Sequence, residues 1–232
     1  MTISSSIIRM SRSNSIRLII IRYIAINSIM LDESDCVTSC GVNVTLNPLT
    51  TEMFSKAGMM AKDGRCKTLD SRADGYVRGE ACVVLEIRTL SGDAGIALHS
   101  GSLVASAVNQ DGRSSSLTAP NGPSQQRAIR SALRAAGMDP SALDGLEMHG
   151  TGTSLGDPIE VGAAHALLVE PTHAASCLDP LTLSAMQSCL GHTVPASRAV
   201  GLLHALTAAG AHTARAIVHL LAIHPHPTSL TP

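Results

Sequence analysis

The 232-residue chain predicts an α/β fold. From Asp35 onward, short apolar runs rich in β-branched residues alternate with alanine-rich stretches of helical pattern, the arrangement that builds layered α/β domains. The helical stretches are punctuated by proline at their starts and glycine at their ends. Aromatic residues make up only 1% of the chain, one Phe and two Tyr with no Trp, so its core must rest on aliphatic side chains and Met. Such a composition also suits a piece of a larger domain.

Strands are expected over residues 41–46, 81–87, 103–108, 146–150 and 181–186. Their continuous apolar character predicts that several are covered on both faces. A first helix should open at Pro123, after Asn121-Gly122, and stop at Gly137. A second has Asp157 as its N-cap, Pro158 at its first position, and Glu160 closing a capping-box-like pair. A third, over 196–210, carries Ala199, Leu203 and Leu206 along one face. The tail over 224–232 is broken by proline and reads as irregular.

The first 31 residues differ from the rest: they are rich in Ser, Ile and Arg, with no acidic residue before Asp32. Arg17 and Arg22 interrupt the apolar run, which excludes a membrane span there. The composition fits an organellar transit peptide, and equally a non-native leader from a mis-set gene boundary. Residues 1–34 therefore read as a leader and 35–232 as the domain, in a cytoplasmic or, with a transit peptide, plastid or mitochondrial protein. The leader should pack poorly or form a lone helix; the alternative is that Ile19, Ile20, Ile21 and Ile24 dock on the sheet.

A net charge of -1 gives no footprint for nucleic acid. The six cysteines show no C-x-x-C spacing, so reduced thiols are expected rather than a disulfide framework. Cys36 and Cys40 lack a second ligand pair with zinc spacing, and no metal site is predicted.

The densest segment is "EMHGTGTSLGDPIEVG", residues 147–162. His149 ends an apolar strand before a turn of glycines and threonines, where α/β proteins place reacting groups. Taken alone, it reads equally as a hydrogen-bonded core residue. A second histidine, His192, follows another strand and Gly191, ahead of an alanine-rich helix. Two neutral imidazoles converging on one pocket can stabilise an enolate and handle a proton, as decarboxylation of a malonyl or β-keto acid requires.

The segments "GVNVTLNP", "MFSKAGMMAKDGRCKTLDSRADGYVRGEA", "SAVNQDGRSSSLTAPNGPSQQ", "EMHGTGTSLGDPIEVGA" and "CLGHTVPASRAVGLL" stand in one order. Together they resemble the C-terminal part of a polyketide-synthase or fatty-acid-synthase β-ketoacyl synthase, a 3-oxoacyl-[acyl-carrier-protein] synthase type acyltransferase. The resemblance runs roughly from Asp35 to Leu220. It implies a thiolase-like αβαβα fold, incomplete here because the first half with the nucleophile and the last strands are missing. It also implies decarboxylative Claisen condensation of acyl and malonyl thioesters. His149 and His192 match the family's two catalytic histidines, and Thr151 and Thr153 match threonines that contact the phosphopantetheine arm. Asn109 and Asp111 fall in a loop near the substrate entrance. No cofactor is implied beyond that arm of an acyl carrier protein, which would be a partner beside a ketosynthase-like dimer partner or flanking synthase modules. Neither nucleic acid nor membrane is implied.

Three departures qualify the resemblance. The nucleophile motif D-T-A-C-S-S-S would fall near Ser15, where the chain has no cysteine, and Cys36 and Cys40 come too late to replace it. The family's lysine, partner of the glutamate matched by Glu160, is Gln187 here, and its asparagine is Cys189. The closing G-F-G-G-T-N is absent after Leu220. A competing reading is therefore a non-catalytic degenerate copy, or a partner subunit like a chain-length factor.

Overall fold

A computed structural model describes residues 2–3, 6–9, 17–19, 23–89, 100–112, 119–168, 181–211, 213 and 216–223. Its strands are β1 (Thr2–Ile3), β2 (Ser6–Arg9), β3 (Arg17–Ile19), β4 (Cys36–Asn43), β5 (Ala81–Arg88), β6 (Ser102–Ala105), β7 (Asn109–Gln110), β8 (Gly145–Glu147) and β9 (Thr182–Ser184). Its helices are α1 (Tyr23–Met30), α2 (Pro48–Lys56), α3 (Gly122–Ala136), α4 (Gly156–Leu168), α5 (Gln187–Leu190) and α6 (Ser197–Ala211).

A five-stranded sheet runs in the order β6-β3-β2-β8-β9, and β4 and β5 form a separate antiparallel ribbon. Successive side chains of a strand point to opposite faces, and β8 uses both. Leu146 enters a cluster with Ile129 and Leu133 of α3, Val161 and Ala164 of α4, and Ala185. The next residue, Glu147, turns the other way and meets His204 of α6 at 2.8 Å. On its far side α6 packs on the ribbon, where Val83 joins Ala199 and Val200. The layers are thus α3 with α4, the sheet, α6, and the β4–β5 ribbon.

Helix α3 forms as the sequence predicts. Asn121 caps it by accepting from the Ser124 amide (3.0 Å), and Gly137 ends it in the left-handed region at φ 60°. Its buried residues, Ser124, Gln125, Ala128, Ile129, Ala132 and Leu133, recur at helical spacing.

Four expectations are corrected. Coverage on both faces holds for β8, buried throughout, but not for β5: Val83 is buried while Cys82, Val84 and Glu86 face outward, as the alternation of a one-sided ribbon requires. On α6, Leu203 is exposed; the buried apolar side chains are Ala199, Val200, Leu202, Ala205, Ala208 and Ala209, because small residues let the helix press against two layers at once. Asp157 is not the cap of α4. The helix starts two residues earlier, at Gly156 rather than Pro158, with the Thr153 hydroxyl accepting from the Gly156 amide at 3.1 Å, and Glu160 closes no capping box. Finally, the leader is not detached. Ile7 pairs with Leu146 of β8, and Leu18 pairs with Leu103 of β6, so β2 and β3 form the middle of the sheet. Ile20, Ile21 and the tail over 224–232 lie outside the described residues. Among the described residues no helix is long and apolar enough to cross a membrane.

Candidate active site

Strand β8 delivers His149 to the floor of a cleft of about 780 Å³. Beyond the last strand residue, the chain is held by a succession of bonds. The Met148 amide donates to Ser184 O (2.7 Å), and then both oxygens of the Glu160 carboxylate accept, from the His149 amide at 2.7 Å and the Gly150 amide at 3.0 Å. Thr68 donates its hydroxyl to Gly150 O. The turn also needs glycine at 152. Its φ is +78°, and an added Cβ would lie 2.5 Å from the Lys67 amide nitrogen. Asp157, freed from capping, accepts from the Leu69 (2.9 Å) and Gly152 (3.2 Å) amides and pins the same turn from below.

His192 arrives from α5 through Gly191. Its amide donates to Val77 O (2.7 Å) and its carbonyl accepts from the Gly79 amide (3.0 Å), which clamps it to the segment before β5. A side chain at Gly79 would collide with Leu190 O, so only glycine permits this approach.

The two imidazoles meet edge to face, ring centroids 4.9 Å apart at 82°. Burial holds both below the ordinary imidazole value of 6.5. His192 falls to about 4. His149 is depressed further, by the surrounding protein first and then by His192 and Arg198, although its ring still opens to the cleft. Both rings are therefore neutral near pH 7, each with one N–H to donate and one nitrogen to accept. His192 Nδ1 is buried without a protein partner.

Thr151 and Thr153 both line the cleft, Thr153 keeping its hydroxyl proton available while its oxygen caps α4. Asp111 lines it too, with burial raising its carboxyl above the usual range. Asn109 does not: its carboxamide donates to Ser124 O (2.6 Å), which fastens the loop to α3. Gln187 lies on the cleft wall, but the bonds to Glu160 come from the two backbone amides and not from its carboxamide. Without a lysine beside it, Glu160 is pushed up to about 7, chiefly by burial.

Two cleft residues escaped sequence reasoning. Tyr76 stands 5.2 Å from the His192 ring, edge to face; as one of two tyrosines in so aromatic-poor a chain, it was the available signal. Arg198, in the first turn of α6, also lines the cleft. Among the described residues no cysteine does: Cys36, Cys40, Cys82 and Cys189 are exposed elsewhere, and Cys66 is buried outside the lining. Cys177 lies outside the described residues.

The family model for the C-terminal domain of β-ketoacyl synthases matches residues 100–221, over half the chain, and the model for the N-terminal domain matches residues 19–92. The chain belongs to the β-ketoacyl synthase family. Polyketide synthase GfsA of Streptomyces halstedii is 40% identical over 203 residues, 85% of this chain and 3% of that protein. Erythronolide synthase EryA3 of Saccharopolyspora erythraea is 41% identical over 191 residues, 80% of this chain and 6% of that protein. This β-ketoacyl synthase chain thus spans only a small fraction of the curated relatives it matches. Among solved structures, the ketosynthase from module 6 of the bacillaene synthase from Bacillus subtilis 168 superposes with a TM-score of 0.75 at 27% identity, over 88% of this chain and 36% of that one. The fold is thiolase-like, and the part present is a partial ketosynthase domain.

Proposed function

We propose that the chain contributes the histidine side of a ketosynthase site for polyketide or fatty-acid assembly, generating and holding an enolate from a malonyl thioester. The observation that carries this reading is the contact of two neutral imidazoles at one cleft floor. In the step, the bond between the α-carbon and the carboxylate breaks and carbon dioxide leaves. The electron pair passes through the α-carbon to the thioester oxygen. His149 and His192 are the donors placed to bind that oxygen, and preorganised N–H groups in a half-dry cleft favour the developing charge. Thr151 and Thr153 are proposed to hold the phosphopantetheine arm of an acyl carrier protein, and the partners are that carrier and flanking synthase modules.

Condensation needs more. The enolate carbon must attack an acyl thioester held on a thiol, which leaves as thiolate. No described cysteine lines the cleft, so that acyl group must come from outside these residues. Release of labelled carbon dioxide from malonyl-N-acetylcysteamine, carrying label in the free carboxyl, tests the reading. The wild-type chain should release it, and His149→Ala or His192→Ala should lower the rate about a hundredfold or more. Equal rates in all three proteins would overturn it.

A further inference from the structure

The cleft that holds the two histidines is acidic in composition. Asp74, Asp111, Glu147, Asp157 and Glu160 all line it, yet its described lining holds one permanent cation, Arg198. Several of these carboxylates are engaged elsewhere: Asp74 accepts from Lys67 at 2.7 Å, Glu147 from His204 at 2.8 Å, and Asp157 and Glu160 from backbone amides.

We propose that Arg198 is a specificity residue, which selects a carboxylated acyl thioester by pairing with its free carboxylate beside His149. Two observations support the assignment. Arg198 lies in the first turn of α6, where the helix dipole disfavours a cation and favours an anion, so a bound carboxylate would meet the guanidinium and the helix end together. The charge is felt at the reacting group, since Arg198 is one of the causes that keep the His149 imidazole neutral. A guanidinium presents five N–H donors, enough to keep a protein neighbour and still hold a carboxylate. The family's lysine position is Gln187 in this chain, and the cleft takes its positive charge from the next helix instead.

The proposal rests on the malonyl-thioester reading above. It is tested by calorimetric binding to the full chain of two N-acetylcysteamine thioesters, sulfoacetyl and acetyl. The sulfonate stands in for the carboxylate and cannot leave as carbon dioxide. The wild-type chain should bind the sulfoacetyl probe about tenfold or more tightly than the acetyl probe. Arg198→Ala should bring the two affinities together, and Arg198→Lys, which keeps the charge, should retain much of the preference. A sulfoacetyl preference that survives in Arg198→Ala overturns the role of Arg198 and leaves the enolate reading standing. Failure of the wild-type chain to bind either thioester overturns the enolate reading, and this proposal with it.

Discussion

The carboxylate of Glu160 accepts the backbone amides of His149 and Gly150 with its two oxygens, at 2.7 and 3.0 Å. A helix side chain thereby sets the direction in which a strand-end histidine leaves the sheet. Glu160→Ala should strand both amides and cost roughly 1–3 kcal/mol for each donor left without a partner. Glu160→Gln keeps one acceptor oxygen and should cost less. The pH dependence has a definite sign. Glu160 is raised from 4.5 to about 7 in the fold, so its contribution is present below 4.5 and lost as pH rises through about 7. Glu160→Gln, which mimics the protonated carboxyl and does not titrate, should unfold close to wild type at low pH, and the wild-type midpoint should fall relative to it as pH rises across that range.

The histidine pair makes the opposite prediction for the acid side. His192 falls from 6.5 to about 4, so its contribution to stability is present above 6.5 and lost as pH falls toward about 4. Decarboxylation of a malonyl thioester should stay level through pH 6.5 and decline only as pH approaches about 4. A midpoint near 6.5 in the pH–rate profile would show an ordinary imidazole and contradict the depression.

Behind the cleft, Glu147 and His204 are 4% and 5% exposed and bonded at 2.8 Å, with the Met186 amide on the other carboxylate oxygen at 2.8 Å. His204→Ala should leave a buried carboxylate short of a donor, at a cost of up to roughly 3–5 kcal/mol. The double variant Glu147→Leu/His204→Leu should recover only part of that loss, because it removes the buried charge but strands the Ser184 hydroxyl and Met186 amide that donate to Glu147. Denaturant unfolding of the two variants checks the order.

Gly152→Ala should destabilise the turn between His149 and α4. The residue sits at φ +78°, and its new Cβ would meet the backbone of Lys67. Strain of this kind typically costs about 1–3 kcal/mol. Gly137→Ala, at φ +60° with open space around the Cβ, should cost less, since only the backbone term applies.

Local rules made much of this legible. Asn121 and Gly137 bound α3 because capping and left-handed glycine are short-range effects that a sequence displays directly. The motif around His149 likewise carried its own strand-turn-helix context. What was not legible depended on distant partners. Asp157 looks like a cap, but the Leu69 amide, 88 residues away, claims it. Leu203 fits the helical stripe of α6, yet the ribbon on one side and the sheet on the other select a different face. The leader's composition reads as foreign to the domain, while β2 and β3 join the sheet by backbone pairing, which composition does not encode.

Intact-mass analysis of the full chain, after incubation with a labelled acyl thioester and malonyl-N-acetylcysteamine, reads acylation of the protein beside decarboxylation of the thioester. A cleft with two histidines and no cysteine among its described lining residues should leave the chain at its unmodified mass while malonyl thioester is converted to acetyl thioester. A stable acyl adduct on Cys36, Cys40 or Cys189, together with a chain-extended ketide product, would contradict it.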